Sequence, residues 1–176
     1  MTATTLQQTE TTPDDYPEVE VSTAAEPFLP AAWTRIETYT AVRTSERDVS
    51  WIVEGCGEWV PPLKPATIAT VEIWEADAWA AVTLRPSHLG GYVLPGDGPY
   101  RFSGTAGDDD ADVPADLAEA VRRLAEFMAA ASESSHPGLR SETVPDIWTG
   151  EYDNRAMARA LQDSGAADLL RTFRRA

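Results

Sequence analysis

The sequence predicts an α+β fold in which a small antiparallel β module precedes a helical part. Short segments of alternating side chains, separated by Gly, Pro and Asp, fill the middle of the chain. An amphipathic segment follows Pro114, and 43% of the residues are apolar, enough for a core. We therefore expect residues 1–30 to form an extended acidic N-terminal arm and residues 31–176 one domain. Within that domain the β module spans about 45–106 and the helical part about 113–176.

The N-terminal arm carries six acidic residues and has no Lys or Arg before Arg35. A segment this polar buries too little apolar surface to offset its ordering entropy. It is expected to be disordered in an isolated chain. The alternation of Val19 and Val21 with Glu18 and Glu20 also allows a short strand added to a neighbouring subunit. A free tail and an arm ordered on a neighbour both remain open.

Five segments are predicted as strands: Val49–Glu54, Thr67–Trp74, Trp79–Arg85, Tyr92–Leu94 and Tyr100–Ala106. The Glu75-Ala-Asp77 turn predicts that the second and third of these form a hairpin. Pro95-Gly-Asp-Gly predicts a second hairpin between the last two. In the long second strand, the face expected to be buried comprises Thr67, Ala69, Val71 and Ile73.

The helix after Pro114 has apolar residues at i, i+3, i+4, i+7, i+8 and i+11: Leu117, Ala120, Val121, Leu124, Ala125 and Met128. Arg122 and Arg123 fall on its outward side. A second helix is predicted at Asn154–Gln162, ended by Gly165. Trp33–Val42 fits both helical and alternating spacing, and we expect a helix that gives way to extended chain.

The composition argues against several classes of function. A net charge of −15 disfavours direct binding to nucleic acid, because phosphate contacts need a basic surface. The single cysteine, Cys56, permits neither an internal disulfide nor a zinc cluster. No signal peptide is expected, and no apolar run approaches the roughly 20 residues of a membrane span. We therefore expect no contact with a membrane.

No pattern of catalytic or ligand-binding residues is found in the sequence. His88 and His136 are predicted to lie in exposed loops. The Asp108–Asp112 run lacks the spacing of a calcium loop, and its acids favour the positive end of the following helix. Glu72 and Glu75 are interpreted as solvated acids, and Trp51, Trp59, Trp74 and Trp79 as core and rim residues. We expect no enzyme activity, no cofactor and no metal.

Several motifs together resemble the head–tail connector (adaptor) proteins of long-tailed phages and gene transfer agents. They are Tyr100-Arg-Phe-Ser-Gly-Thr-Ala-Gly, Val113-Pro-Ala and Glu119-Ala-Val-Arg-Arg-Leu-Ala. Ile36-Glu37 and the Pro-rich approach after Trp59 are similar to upstream features of that family, and Leu169-Leu170 with Phe173-Arg174 to its C-terminal signature. The resemblance covers roughly residues 33–176. The arm departs from it, since the family usually has one or two helices before the position of Ile36.

The resemblance implies a structural virion protein, made in the bacterial cytoplasm, which forms a dodecameric ring at the head–tail junction. Its partners would be the portal protein and a tail-side connector or stopper protein. DNA would pass through the ring without specific binding. The implied portal-interface residues are Leu169, Leu170, Arg171, Phe173, Arg174 and Arg175, and the inter-subunit candidates are Val19, Val21, Arg122 and Arg123.

Two alternatives remain open from the residues themselves. The apolar C-terminal patch either marks an interface or packs on the Pro114 helix. The chain as a whole could also be a small non-catalytic binding module that uses a Trp-rich β surface.

Overall fold

The computed structural model describes residues 2–134, 141–144, 148–151 and 156–174. The chain forms two compact units. The sheet unit comprises Met1–Tyr16 and Ala41–Ala111, and the helical unit comprises Pro17–Thr40 and Asp112–Ala176. Antiparallel sheets and helices make up these units, which confirms the predicted α+β class.

Within the described residues the strands are β1 (Thr4–Glu10), β2 (Arg47–Glu54), β3 (Gly57–Trp59), β4 (Ala66–Glu75), β5 (Ala78–Ala81), β6 (Arg85–Pro86), β7 (Tyr92–Leu94), β8 (Tyr100–Ala106), β9 (Ser141–Val144) and β10 (Trp148–Glu151). The helices are α1 (Leu29–Thr40), α2 (Ala115–Ser134), α3 (Ala156–Asp163) and α4 (Ala166–Leu169). A five-stranded sheet has the order β1-β2-β8-β4-β5, a three-stranded sheet the order β3-β7-β6, and β9 pairs with β10.

The core of the sheet unit is aromatic. Trp59 stacks on Phe102 with ring centroids 4.1 Å apart, and Trp51 meets Trp59 edge-on at 5.9 Å. Tyr100 and Val53 complete this buried layer, in which Trp51 and Phe102 have no exposed surface. Because β2 and β8 are neighbours with Trp51 opposite Phe102, the central strands supply most of this core.

The predicted hairpin between Tyr92–Leu94 and Tyr100–Ala106 is wrong. β7 pairs with β3 and β6, whereas β8 lies between β2 and β4. Both edges of β8 are thus occupied by strands that are longer than β7. Phe102 and Tyr100 of β8 are buried in the core of the sheet unit. The Pro95–Gly98 segment joins β7 to β8, but pairing with distant strands determines that these two strands are not neighbours in a sheet. The predicted hairpin of β4 and β5 is confirmed, with Trp74 opposite Trp79.

A β-bulge in β4 changes which of its residues are buried. Ile68 pairs with Gly104 and Thr70 with Ser103, so Ala69 is the extra residue. After the bulge Val71 and Ile73 pack against the core as predicted. Before it the faces are exchanged: Ile68 packs against the core, while the predicted core residues Thr67 and Ala69 are exposed.

The first part of the predicted free arm is a strand of the five-stranded sheet. β1 pairs antiparallel with β2 from Thr4 to Glu10. Its inward residues are polar and bind buried donors: the Trp59 Nε1–H donates to Thr5 Oγ1 at 2.9 Å, and the Trp51 Nε1–H to Gln8 Oε1 at 2.8 Å. Backbone pairing and these acceptors order a segment that has no apolar pattern.

α1 is helical throughout, so the predicted extended second half is wrong. Its buried residues include Trp33, Ile36 and Thr40, which share one face of the helix. The threonines that suggested a strand donate their hydroxyls to carbonyls one turn earlier, Thr38 to Thr34 O at 2.7 Å and Thr40 to Ile36 O at 2.8 Å. Burial of one face therefore outweighed the β preference of these side chains.

The helix predicted after Pro114 is confirmed as α2. All six predicted stripe residues are buried, each at most 4% exposed. α2 packs against α1, α3 and α4, which makes it the centre of the helical unit. The helix predicted at Asn154–Gln162 is α3, whose described part begins at Ala156. The predicted polar linker after residue 131 is helical to Ser134 and extended in β9, and its residues 135–140 lie outside the described residues.

Candidate assembly surfaces

The C-terminal segment lies partly inside the helical unit. α4 packs against α2, and Leu170 has no exposed surface. Leu169 and Phe173 are half-buried, in α4 and in a following 3-10 turn. Of the three apolar residues predicted to anchor a partner, Leu170 is therefore a core residue of the helical unit. Leu169 and Phe173 retain exposed surface.

The basic side chains of this segment have partners within the chain. The Arg171 NH2 group lies 2.9 Å from Asp168 Oδ1, with both side chains largely exposed. The Arg174 guanidinium lies 4.8 Å from the centroid of the Tyr39 ring, a cation–π contact. Exposed pairs of this kind are weak, so both cations remain available to an acidic partner. Arg175 lies outside the described residues.

Arg122 and Arg123 are exposed on α2, as predicted, and both bind Glu119. Arg122 donates from Nε to Glu119 Oε2 and from NH2 to Oε1, each at 2.7 Å, and Arg123 Nε donates to Oε1 at 2.7 Å. These hydrogen bonds lower the pKa of Glu119 to about 2, and the largest contribution comes from Arg122, followed by Arg123. The same contact raises the pKa of Arg122. Two guanidinium groups thus share one carboxylate on the exposed face of α2, and Glu126 interacts electrostatically with Arg122 as well.

Val19 and Val21 are half-buried and belong to no strand, while Glu18 and Glu20 are exposed. The segment that contains them is held to α2 by Ser22. The Ser22 N–H donates to Glu126 Oε1 at 2.6 Å, and its hydroxyl donates to Oε2 at 2.8 Å. The backbone hydrogen bond and then the hydroxyl lower the pKa of Glu126. Ser22 and Glu126 thus join this segment to α2 within one chain.

A tryptophan patch, formed by Trp74, Trp79, Arg101 and Glu72, lies at the β4–β5 hairpin of the five-stranded sheet. The sequence analysis kept a Trp-rich β surface as an alternative, but it did not predict the contact with Arg101. Trp74 and Trp79 meet edge-on at 5.2 Å, and the Arg101 guanidinium lies 4.6 Å from the Trp79 ring centroid. Arg101 Nε donates to Glu72 Oε2 at 2.7 Å. Trp74 is 41% exposed, so the patch presents an aromatic surface beside a fixed cation. The signal available in the sequence was the hairpin itself, which places the two tryptophans opposite each other.

A shallow groove of about 470 Å³ also lies on the sheet unit. Its lining comes from β1, β2, β4, β8 and the residue after β1, and it consists of small side chains and one acid: Thr9, Thr11, Asp48, Val49, Ser50, Ala69, Ser103, Gly104 and Thr105. The groove is shallow and holds no group of titratable residues, so the geometry gives it no chemistry.

The residues considered for chemistry have structural partners. Ser87 Oγ donates to Glu58 Oε1 at 2.7 Å, and His88 Nδ1 lies 3.1 Å from the same oxygen, so the histidine is not placed to accept the serine proton. Asp109 Oδ1 accepts the N–H of Glu46 at 2.7 Å, which assigns this acid to a loop contact. His136 lies outside the described residues, and Cys56 is half-buried.

The described residues hold neither a metal-binding group of side chains nor a membrane-spanning helix. No group of three or more His, Cys, Asp or Glu in the described ranges is arranged to hold a metal ion. Among the helices of that same part of the chain, none combines the length and the hydrophobicity needed to cross a membrane.

Comparison with known proteins gives structural matches only. No family model matches the chain, and no curated protein matches it. A chain in the virion of a native gene transfer agent (GTA) particle matches 87% of this chain and 77% of its own length, with 22% identity and a TM-score of 0.52. The two chains share a fold. Further matches are to chains in the neck of an empty GTA particle computed with C6 symmetry and the neck of a native particle computed with C12 symmetry. They have 22% and 21% identity and TM-scores of 0.48 and 0.44. The match to the neck of the empty particle covers 80% of this chain and 77% of the matched chain. The match to the neck of the native particle covers 82% of this chain and 82% of the matched chain.

Proposed function

We propose that this chain is a structural protein of a virion neck, with a head–tail connector role. The observation that carries the proposal is the fold shared with a chain of a GTA virion over 87% of the sequence. The motifs that resemble the connector family lie on two ordered elements of this chain, since the aromatic strand is β8 and the helix after Pro114 is α2. The proposal therefore has two supports, one from residues and one from the backbone.

In this role the chain is a subunit of a dodecameric ring between the portal and a tail-side connector or stopper, at the head–tail junction. DNA passes through the ring without specific binding. The net charge of −15 supports such a conduit, because an acidic wall repels phosphate and does not hold the DNA during passage. The ring number is taken from the family resemblance.

The portal contact is assigned to the C-terminal segment. Leu169 and Phe173 supply half-buried apolar surface, and Arg171 and Arg174 supply cations on the same short segment. Leu170 supports the segment from inside the helical unit. An apolar centre with a charged rim is the usual anatomy of a specific interface. Val19, Val21, Arg122 and Arg123 remain candidates for contacts between subunits.

The test is the mass of the purified chain by light scattering, alone and mixed with the portal protein from its own genome. We expect a ring alone or a stable complex with the portal. Arg171→Glu should weaken the portal complex, because it replaces a cation at the contact with an anion while disturbing only an exposed ion pair. Arg159→Glu, the same charge change at an exposed position of α3, is the matched control and should leave binding unchanged.

A chain that stays monomeric alone and with the portal would overturn the proposal. The alternative of a Trp-rich binding module finds little support in the geometry. Trp51 and Trp59 are core residues. The groove described above is not lined by Trp74 or Trp79.

A further inference from the structure

Strand β1 differs from its neighbour β2 in how little of it is buried. None of the seven residues of β1 is buried, and only Thr5 and Glu10 are half-buried. Four of the eight residues of β2 are buried. Leu6, the only apolar residue of β1, is 59% exposed and lies at the irregularity between Thr5 and Gln7. Burial of apolar side chains, which stabilises β2, therefore contributes little to the attachment of β1.

The side chains of β1 are attached to the sheet unit as hydrogen-bond acceptors. Two indole N–H groups of the core donate to Thr5 Oγ1 at 2.9 Å and to Gln8 Oε1 at 2.8 Å. The Arg43 guanidinium donates twice to the Glu10 carboxylate, at 2.6 and 2.9 Å. When these acceptors leave, water can bind the same donors, so separation exchanges polar contacts for hydration. The charged contact with Arg43 is the strongest of the set.

The layer beneath β1 is paired and packed through other strands. β2 pairs with β8 on its other side, and β8 pairs with β4. Trp51 and Phe102 have no exposed surface, and the Trp59 ring stacks on Phe102 at 4.1 Å. Three strands with one apolar face are enough for independent stability. The sheet unit therefore keeps a core when β1 separates from β2.

We propose that residues 2–11 form a strap that opens from and closes on the folded sheet unit, and that the Glu10–Arg43 ion pair stabilises its closed form. The inference does not depend on the proposed function. Local opening at a lower free energy than global unfolding is typical of elements with few buried apolar contacts. Opening uncovers the edge of β2, where the backbone of Asp48 binds Thr11 in the closed form. The strap thus hides a strand edge that its open form exposes.

The amides of β2 report on the two sides of this strand separately. The Thr11 N–H donates to Asp48 O at 3.0 Å, and the Asp48 N–H donates to Thr11 Oγ1 at 3.1 Å, so the backbone of Asp48 faces β1. The direction alternates along an antiparallel strand. The strap-side amides, which face β1, and the core-side amides, which face β8, are therefore Ser50 and Ile52, and Val49 and Trp51, respectively.

The experiment is amide hydrogen exchange of the full chain, followed by NMR at rising urea concentrations below the unfolding transition. We expect the strap-side amides to exchange about a hundred-fold faster than the core-side amides, or more. Their rates should depend weakly on urea, because opening exposes little surface, whereas core-side rates should rise steeply. Glu10→Gln should speed strap-side exchange about ten-fold or more, and Glu54→Gln, at an exposed position of β2, should leave it unchanged.

A second variant separates opening of the strap from unfolding of the whole unit. Ile73 packs against the core from β4, which β2 and β8 separate from β1 in the sheet. Ile73→Ala should therefore speed exchange of the core-side amides and leave the strap-side amides unchanged. Equal rates and equal urea dependence of the two groups in the wild type would overturn the strap, and this comparison needs no variant. Equal acceleration of both groups in Ile73→Ala would overturn it as well.

Discussion

Replacing Glu10 with Gln removes the carboxylate that ties β1 to the rest of the sheet unit. Arg43 donates from Nε to Glu10 Oε2 at 2.6 Å and from NH2 to Oε1 at 2.9 Å. The Arg43 side chain is 8% exposed and that of Glu10 22%, so water replaces little of the lost interaction. The variant keeps the size of the side chain and one acceptor oxygen, and it removes the charge.

We expect this change to lower the free energy of unfolding by about 2 kcal/mol. Hydrogen bonds to charged groups contribute about 1.5–3 kcal/mol each, and the amide oxygen of Gln can still accept one weaker hydrogen bond from Arg43. The pair does not contribute its full Coulomb energy, because bringing both charges out of water opposes it. At this chain length the loss corresponds to a fall in Tm of about 4–8 °C.

The assay is urea unfolding followed by tryptophan fluorescence. Trp51 is a direct reporter, because its indole N–H donates to Gln8 on the same strand as Glu10. Glu54→Gln, at an exposed position of β2, is the matched control and should change stability by less than about 0.5 kcal/mol. Equal losses in Glu10→Gln and Glu54→Gln would refute the reasoning.

The same pair predicts a pH dependence. Burial raises the pKa of Glu10, but the hydrogen bonds and charge of Arg43 more than offset this and hold the pKa below its ordinary value of 4.5. A group whose pKa is lower in the folded state stabilises the fold above its unfolded pKa and stops doing so as pH falls through the folded value. The stability difference between wild type and Glu10→Gln should therefore be full at pH 6 and shrink steadily below about pH 4.5.

Three further substitutions test the packing and the charged cluster. Gly104→Ala should cost about 3 kcal/mol, measured as a fall in Tm, because a Cβ there would collide with the carbonyl oxygen of Thr67 across the bulge. Leu170→Ala should cost about 3 kcal/mol in urea unfolding, because the side chain is fully buried in the helical unit. Arg122→Gln should raise the pKa of Glu119 from about 2 towards 4.5, measured by NMR titration of the carboxyl carbon.

Matched controls separate these effects from general damage. Gly96→Ala should be nearly neutral, because the nearest atom to its Cβ would be the Tyr100 hydroxyl at 3.7 Å. Leu169→Ala should cost clearly less than the change at Leu170, since Leu169 is only half-buried. The pKa of Glu126 should stay low in Arg122→Gln, because Ser22 is its main cause. An unchanged pKa of Glu119 in Arg122→Gln would contradict the contact between these two residues. Equal losses of stability in Leu169→Ala and Leu170→Ala would contradict the different burial of the two leucines.

Much of the fold could be predicted because its signals are local. The spacing of Leu117, Val121 and Leu124 predicts the buried face of α2, and all three are buried in the structure. The alternation in VSWIVE predicts β2, and its apolar residues Val49, Trp51 and Val53 are in the core. The outward direction of Arg122 and Arg123 follows from the same helical period. These properties depend on neighbours within a few residues, which a sequence displays directly.

The fold class, the buried face of α2, five of the ten strands in the described residues and the acidic charge follow from the sequence alone, because each of these depends on composition or on short-range periodicity. Tertiary structure decided the remainder. β1 joins the sheet through backbone pairing and acceptors for two indole N–H groups, although the strand has no apolar pattern. The bulge at Ala69 exchanges the two faces of β4, and Leu170, which directly follows α4, is buried in a unit where α4 packs against α2. The physical reason is that strand partners, bulges and helix docking are fixed by contacts between distant residues, whose energies no local pattern contains.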